Sequence, residues 1–153
     1  MRHAPGFTLI EILIVVGLVA VMAAVTVPTV AGAMNRYYIL SAGQQVVSTI
    51  RTARFQAVAR NSDVRIRFDF PAAGQYQTEI WDEDDMAWGS LGQVQYLSRN
   101  ISFGDGTPTD VEIEPTGRPP AVAGCPCTII VSNGNADDDR TLTISTSGRI
   151  QLQ

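Results

Sequence analysis

One carboxylate, Glu11, sits inside an otherwise uncharged apolar run, Phe7 to Val27. An ionised carboxylate in hydrocarbon costs a few kcal/mol, and such residues usually have a defined partner. The run holds no cation, so Glu11 either finds one elsewhere or stays protonated against protein. The rest of the chain is poorly equipped for covalent chemistry. All 11 basic residues are Arg, which excludes a Lys Schiff base. The only His is His3, so a Ser-His-Asp or Cys-His site would have to be built at the very start of the chain. Cys125-Pro126-Cys127 holds the only two cysteines. Two thiolates leave a zinc shell unfilled, so no metal site is expected. A bridge between them would close a small and strained ring. It is feasible in an oxidising compartment, with free thiols and intermolecular bridges as the alternatives. Asp82-Glu83-Asp84-Asp85 between Trp81 and Trp88 reads as a solvated hairpin tip, with a partner-facing loop as its rival. Asn133 to Asp139 spaces its oxygens like a calcium loop but lacks the closing Glu, and reads as a polar turn. With no Gly-rich phosphate loop, metal cluster or triad, the chain is expected to be non-enzymatic and free of cofactors. Its charge of −4 and pI near 4.8 also argue against a generic nucleic-acid binder.

The elements that carry these residues can be read from periodicity. Phe7 to Val27 is 21 residues with one charge. At ~1.5 Å per residue it spans about 30 Å, the thickness of a bilayer core. A buried soluble helix would alternate polar and apolar faces, and this run is apolar all round. A cleaved secretory signal would have a shorter apolar core, of about 7–15 residues, and an A-x-A site behind it. Arg2 on the leading flank favours a cytoplasmic N-terminus, with the remainder across the membrane. Pro28 should kink or loosen the helix. Beyond it, Ile39, Val46, Ile50, Ala53 and Ala57 recur at helical spacing, and Asn61-Ser62 is a natural stop. Val64, Ile66 and Phe68 then alternate with charged residues, a strand signature. Pro71 to Gly74 is a turn, and Gln75 to Asp82 completes a hairpin. Shorter strands are expected at Val94–Leu97, Ile101–Phe103, Val111–Glu114, Thr128–Ser132 and Thr141–Ser145. The reading is an α+β chain: a long N-terminal helix, first transmembrane and then amphipathic, packed on a mostly antiparallel β-sheet head.

Gly6-Phe7-Thr8-Leu9-Ile10-Glu11 resembles the prepilin signal of type IV pilins and type II secretion pseudopilins. The resemblance extends to the Pro that closes the membrane segment, here Pro28. It implies a pilin-like fold and a prepilin peptidase that cuts between Gly6 and Phe7 and methylates the new Phe7 amine. Residues 1–6 would be the leader, 7–28 the transmembrane helix, 29–61 its amphipathic continuation and 62–153 the periplasmic head. The Phe7 amine would then stand four residues before Glu11 on one helical face. It could pair with its own Glu11 or with that of a neighbour; the resemblance implies the neighbour, during assembly.

The head is similar to the GspH/FimT branch of this family. Ala53-Arg54-Phe55-Gln56-Ala57, Pro115-Thr116-Gly117-Arg118 and the closing Ser147-Gly148-Arg149 carry the likeness. The branch implies a structural subunit of the inner membrane whose partners are other pseudopilins or minor pilins. One expected role is a GspH-like minor pseudopilin of type II secretion. The alternative is a FimT-like minor pilin of a type IV pilus, some of which bind DNA through a tail with two Arg separated by one residue. Here Arg149 is followed by Ile150-Gln151, so the second Arg is missing. DNA is therefore disfavoured, and Arg149 reads as a solvated Arg at a strand end. A membrane-anchored binding module outside any filament is a third reading.

Overall fold

The computed structural model describes residues 8–98, 100–119 and 126–153, apart from the side chains of residues 27–29, 31 and 136. Helix α1 runs Leu9–Arg60. It starts at Thr8, whose Oγ1 accepts a hydrogen bond from the Glu11 backbone amide at 3.3 Å, an N-cap that satisfies one of the helix's free donors. It stays helical through Pro28 and Gly32. It ends where Asn61 takes a left-handed φ of 50° and the Ser62 amide bonds back to the Ala57 carbonyl at 3.3 Å. The expected stop at Asn61-Ser62 is thus the observed one.

The chain falls into two compact units, Met1–Arg36 and Tyr37–Gln153. In the first, the described stretch Leu9–Thr26 is long and apolar enough to cross a membrane, and none of it is buried. Pro28 lies just beyond this stretch, and its side chain is outside the description.

The second unit is the head. It includes the last turns of α1, because their apolar face is buried: Ile39, Ala42, Val46, Ile50, Ala53 and Ala57 are each 3% exposed or less. A fully buried Ile or Val of this kind contributes about 1.5–3 kcal/mol. The strands are β1 Val64–Phe68, β2 Gln75–Asp82, β3 Ala87–Ser90, β4 Gln95–Tyr96, β5 Ser102–Phe103, β6 Asp110–Ile113, β7 Cys127–Ser132, β8 Arg140–Ile144 and β9 Ile150–Leu152. The first two match the expected ends. The others lie within a residue or two of expectation, except β3 and β9, which the sequence did not announce. Short pairings are decided by a neighbour's register, and β3 has only four residues while β9 has three.

There are two antiparallel sheets rather than one. The first has order β3-β2-β1-β6, with β4 also on β2; the second has order β5-β7-β8-β9. Alternation does its work in both. Val64, Ile66 and Phe68 are buried, and Arg65 and Arg67 point to the other face. Ile129, Val131, Leu142 and Ile144 form the buried face of the second sheet. Phe68 and Tyr76 of the first sheet meet Phe103 of the second with ring centroids 5.0 and 5.9 Å apart. The helix face and both inner faces make one core.

Candidate functional site

The anchor terminus contributes Glu11, in the first turn of α1. Gly6 and Phe7, the expected cleavage and methylation positions, lie outside the described residues. Thr8 and Glu11 have the S/T-x-x-E spacing of a capping box, which marks the helix start in the sequence itself.

In the head, the three motif segments converge. Arg54 on α1 donates from Nη1 to the Gly148 carbonyl at 3.2 Å. Gly148 closes the turn between β8 and β9, and Gly117 closes the turn after β6. Both have positive φ, 76° and 73°. Both are also pressed close: a Cβ on Gly148 would lie 3.0 Å from the Gly117 carbonyl and 3.4 Å from Arg54 Cζ. A Cβ on Gly117 would lie 3.0 Å from Arg54 Nε and 3.1 Å from Val58 Cγ2. At both positions a side chain would meet an unfavourable backbone and a neighbour that has to give way. Ile50, Val111, Ile113 and Ile144 line the interior beneath. The Arg54 segment, the Gly117 turn and the Gly148 turn therefore form one junction, which locks helix to both sheets. All three motifs are visible in the sequence, but nothing local brings them together, since Gly148 lies 94 positions beyond Arg54.

The outward face of the first sheet carries a charge ladder. Arg65 Nε bonds Glu79 Oε2 at 2.6 Å, and Arg67 Nη1 lies 3.5 Å from Glu79 Oε1. Arg65 also covers the Trp88 ring at 4.2 Å, and Trp88 meets Trp81 edge-on at 5.4 Å. Glu79 is 7% exposed, a burial that its two guanidinia make tolerable. On the other side of Arg65, Glu112 has its pKa pushed up, by burial first and then by Asp63 and Asp110, against the pull of Arg65. Within the core, burial pushes the Tyr76 phenol up, opposed by Thr49 and Gln45; its hydroxyl has no hydrogen bond of good geometry. These partners follow from strand register, which one sequence does not display.

The remaining expected sites are placed singly. Asp82 Oδ1 accepts from the Asp84 and Asp85 amides at 3.0 and 3.4 Å, so the acidic run is the tip of the β2–β3 hairpin and is exposed. Asn133 to Asp139 is the polar connection from β7 to β8 and contains the 3-10 turn Ala136–Asp138. No group of three or more metal-ligating side chains occurs among the described residues. Cys127 is buried at the start of β7 and disulfide-bonded; Cys125 lies outside the described residues. Arg149 is exposed at the turn into β9.

A long apolar N-terminal helix on a head of antiparallel strands is the pilin architecture. The prokaryotic N-terminal methylation motif matches residues 1–27. The type II transport protein GspH model matches residues 42–148, well over half the chain. The chain belongs to the GspH family. Members of the GspH family are structural pilin or pseudopilin subunits without known enzymatic activity. Solved structures share the fold. The type IV minor pilin FimU of Pseudomonas aeruginosa aligns at TM-score 0.63 and 18% identity, over 78% of this chain and 90% of that one. The minor pseudopilin EpsH of the type 2 secretion system of Vibrio cholerae aligns at TM-score 0.56 and 14% identity, over 72% and 92%. A second EpsH structure gives TM-score 0.57 and 12% identity, over 76% and 94%. No curated protein matches significantly. The prepilin motif implies processing by a prepilin peptidase, and the family implies assembly with other pilins. This GspH-family chain is a membrane-anchored, pilin-like subunit.

Proposed function

We propose that the chain is a minor pseudopilin of a type II secretion system, a structural subunit of the periplasmic pseudopilus. The GspH match over residues 42–148 carries this reading. The tail supports it, because Ile150-Gln151 follows Arg149 where DNA-binding relatives have a second Arg. In this reading the peptidase cuts between Gly6 and Phe7, and residues 7–28 wait in the inner membrane with the head in the periplasm. Glu11 and the methylated Phe7 amine of an adjacent subunit then pair as the helix moves from lipid into the filament core. Pairing removes a penalty of a few kcal/mol for an ionised carboxylate in hydrocarbon, which biases subunits towards the assembled state. Pro28 marks the end of the anchor.

A type IV pilus uses the same fold, so the test must separate the two machines. Deleting the gene and assaying exoprotein secretion, twitching and transformation in parallel does so. Loss of secretion alone is expected. Loss of twitching or transformation with secretion intact overturns the assignment. Glu11→Ala should leave the protein in the membrane and reduce its recovery with the other pseudopilins. Normal recovery refutes the role given to Glu11.

A further inference from the structure

One exposed face of the head's helix departs from an ordinary solvated surface. Phe55 is 72% exposed and Val58 54%. Arg51 stands one turn before Phe55, so the three lie at i, i+4 and i+7 on one stripe. The stripe borders the Arg54 junction, since Val58 and Arg54 both touch the Gly117 turn. Arg118 and Arg149, each next in the chain to a junction glycine, are exposed as well. The fold thus sets Arg51 and Arg54 beside an apolar pair, in a chain whose net charge is −4.

The same head displays the complementary combination elsewhere. At the β2–β3 tip, Glu83, Asp84 and Asp85 are exposed, with Met86 beside them 77% exposed. Asp82 is occupied in holding the turn, which leaves the three following carboxylates for a partner. We infer that the acidic hairpin tip of a second copy of this chain docks on the Arg51–Phe55–Val58 stripe, its carboxylates against the arginines and its Met86 on Phe55. Charge and apolarity match together, and the chain's net charge of −4 disfavours a nucleic acid as the occupant. The two surfaces differ, so a single contact leaves one stripe and one tip free, for a reciprocal pair or a head-to-tail series to use. Exposed ion pairs are individually weak, so the contact depends on both copies being held in one membrane or filament, where effective concentration is high. To that extent it rests on the subunit reading above.

The test uses the full-length chain in its own membrane. Two differently tagged copies, one Phe55→Cys and one Met86→Cys, are co-expressed and oxidised, with the unsubstituted chain as background. A 55–86 product is expected, at about fivefold or more above 55–55 and 86–86 products. Arg51→Glu on the first copy should reduce it about fivefold, and Asp84→Arg on the second should restore it. A dominant 55–55 product, no product above background, or no restoration overturns the docking. So does a DNA mobility shift lost in Arg51→Glu, which would make a polyanion the occupant. If secretion depends on the gene but no 55–86 product forms, the docking fails alone. If the product forms while deletion leaves secretion, twitching and transformation intact, the subunit reading fails alone.

Discussion

Replacing Gly148 with Ala should be among the more damaging single-methyl changes in the head. Two effects add. A non-glycine residue at φ 76° costs about 1 kcal/mol. The new Cβ would also lie 3.0 Å from the Gly117 carbonyl and 3.4 Å from Arg54 Cζ. Either the Gly117 turn or the guanidinium must yield. The bond from Arg54 Nη1 to the Gly148 carbonyl, 3.2 Å long, is then stretched, and a charge-assisted bond of this kind is worth about 1.5–3 kcal/mol at most. The expected total is about 2.5–3 kcal/mol, taking the lower part of that range because Arg54 is exposed. Gly134 provides the control. Its φ is 85°, and a Cβ there meets nothing within 4 Å, so Gly134→Ala carries only the backbone cost of about 1 kcal/mol. Thermal unfolding of the detergent-solubilised full chain, followed through the Trp81–Trp88 pair, measures both. At about 4 °C per kcal/mol for a domain near 100 residues, Gly148→Ala should fall about 10–12 °C and Gly134→Ala about 4 °C. In an Arg54→Ala background the Gly148→Ala loss should shrink, because the Arg54–Gly148 bond is already absent, while the clash with the Gly117 carbonyl remains. Equal losses for the two glycines, or no coupling to Arg54, would refute the account of the junction.

Two further substitutions test polar groups that folding removes from water in part or in full. Glu112 has a raised pKa in the folded head, so folding favours its protonated form. The penalty is absent below the unfolded carboxyl's pKa and present in full above the folded one. Glu112→Gln should therefore raise the thermal midpoint at pH 7 and converge with the parent at pH 3; a gain that persists at pH 3 would contradict the cause assigned. Tyr76→Phe removes a buried hydroxyl that has no well-formed hydrogen bond, so urea unfolding should shift by less than about 1 kcal/mol in either direction. A loss above about 2 kcal/mol would mean that Thr49 or Gln45 binds the phenol after all.

Much of this molecule is local and therefore legible in one sequence. A run of apolar residues long enough to cross a bilayer, the Thr8–Glu11 spacing and the alternation of Val64, Ile66 and Phe68 each depend on neighbours a few positions away. They set the anchor, the long helix, its buried face and the first hairpin before any tertiary contact is known. The order Gly6-Phe7-Thr8-Leu9-Ile10-Glu11 set the family resemblance in the same way. What only the folded chain decided is which distant segments meet. The head splits into two sheets, the last three strand residues find β8, and Glu79 lies between Arg65 and Arg67 because of register. The glycines at 117 and 148 read in sequence as turn residues and no more. Folding brings both against Arg54, and there the lack of a side chain matters as much as the freedom of the backbone. The same packing leaves Phe55 exposed among arginines. A side-chain period tells which face a residue takes; it does not tell what lies opposite, because that depends on chain paths tens of residues long.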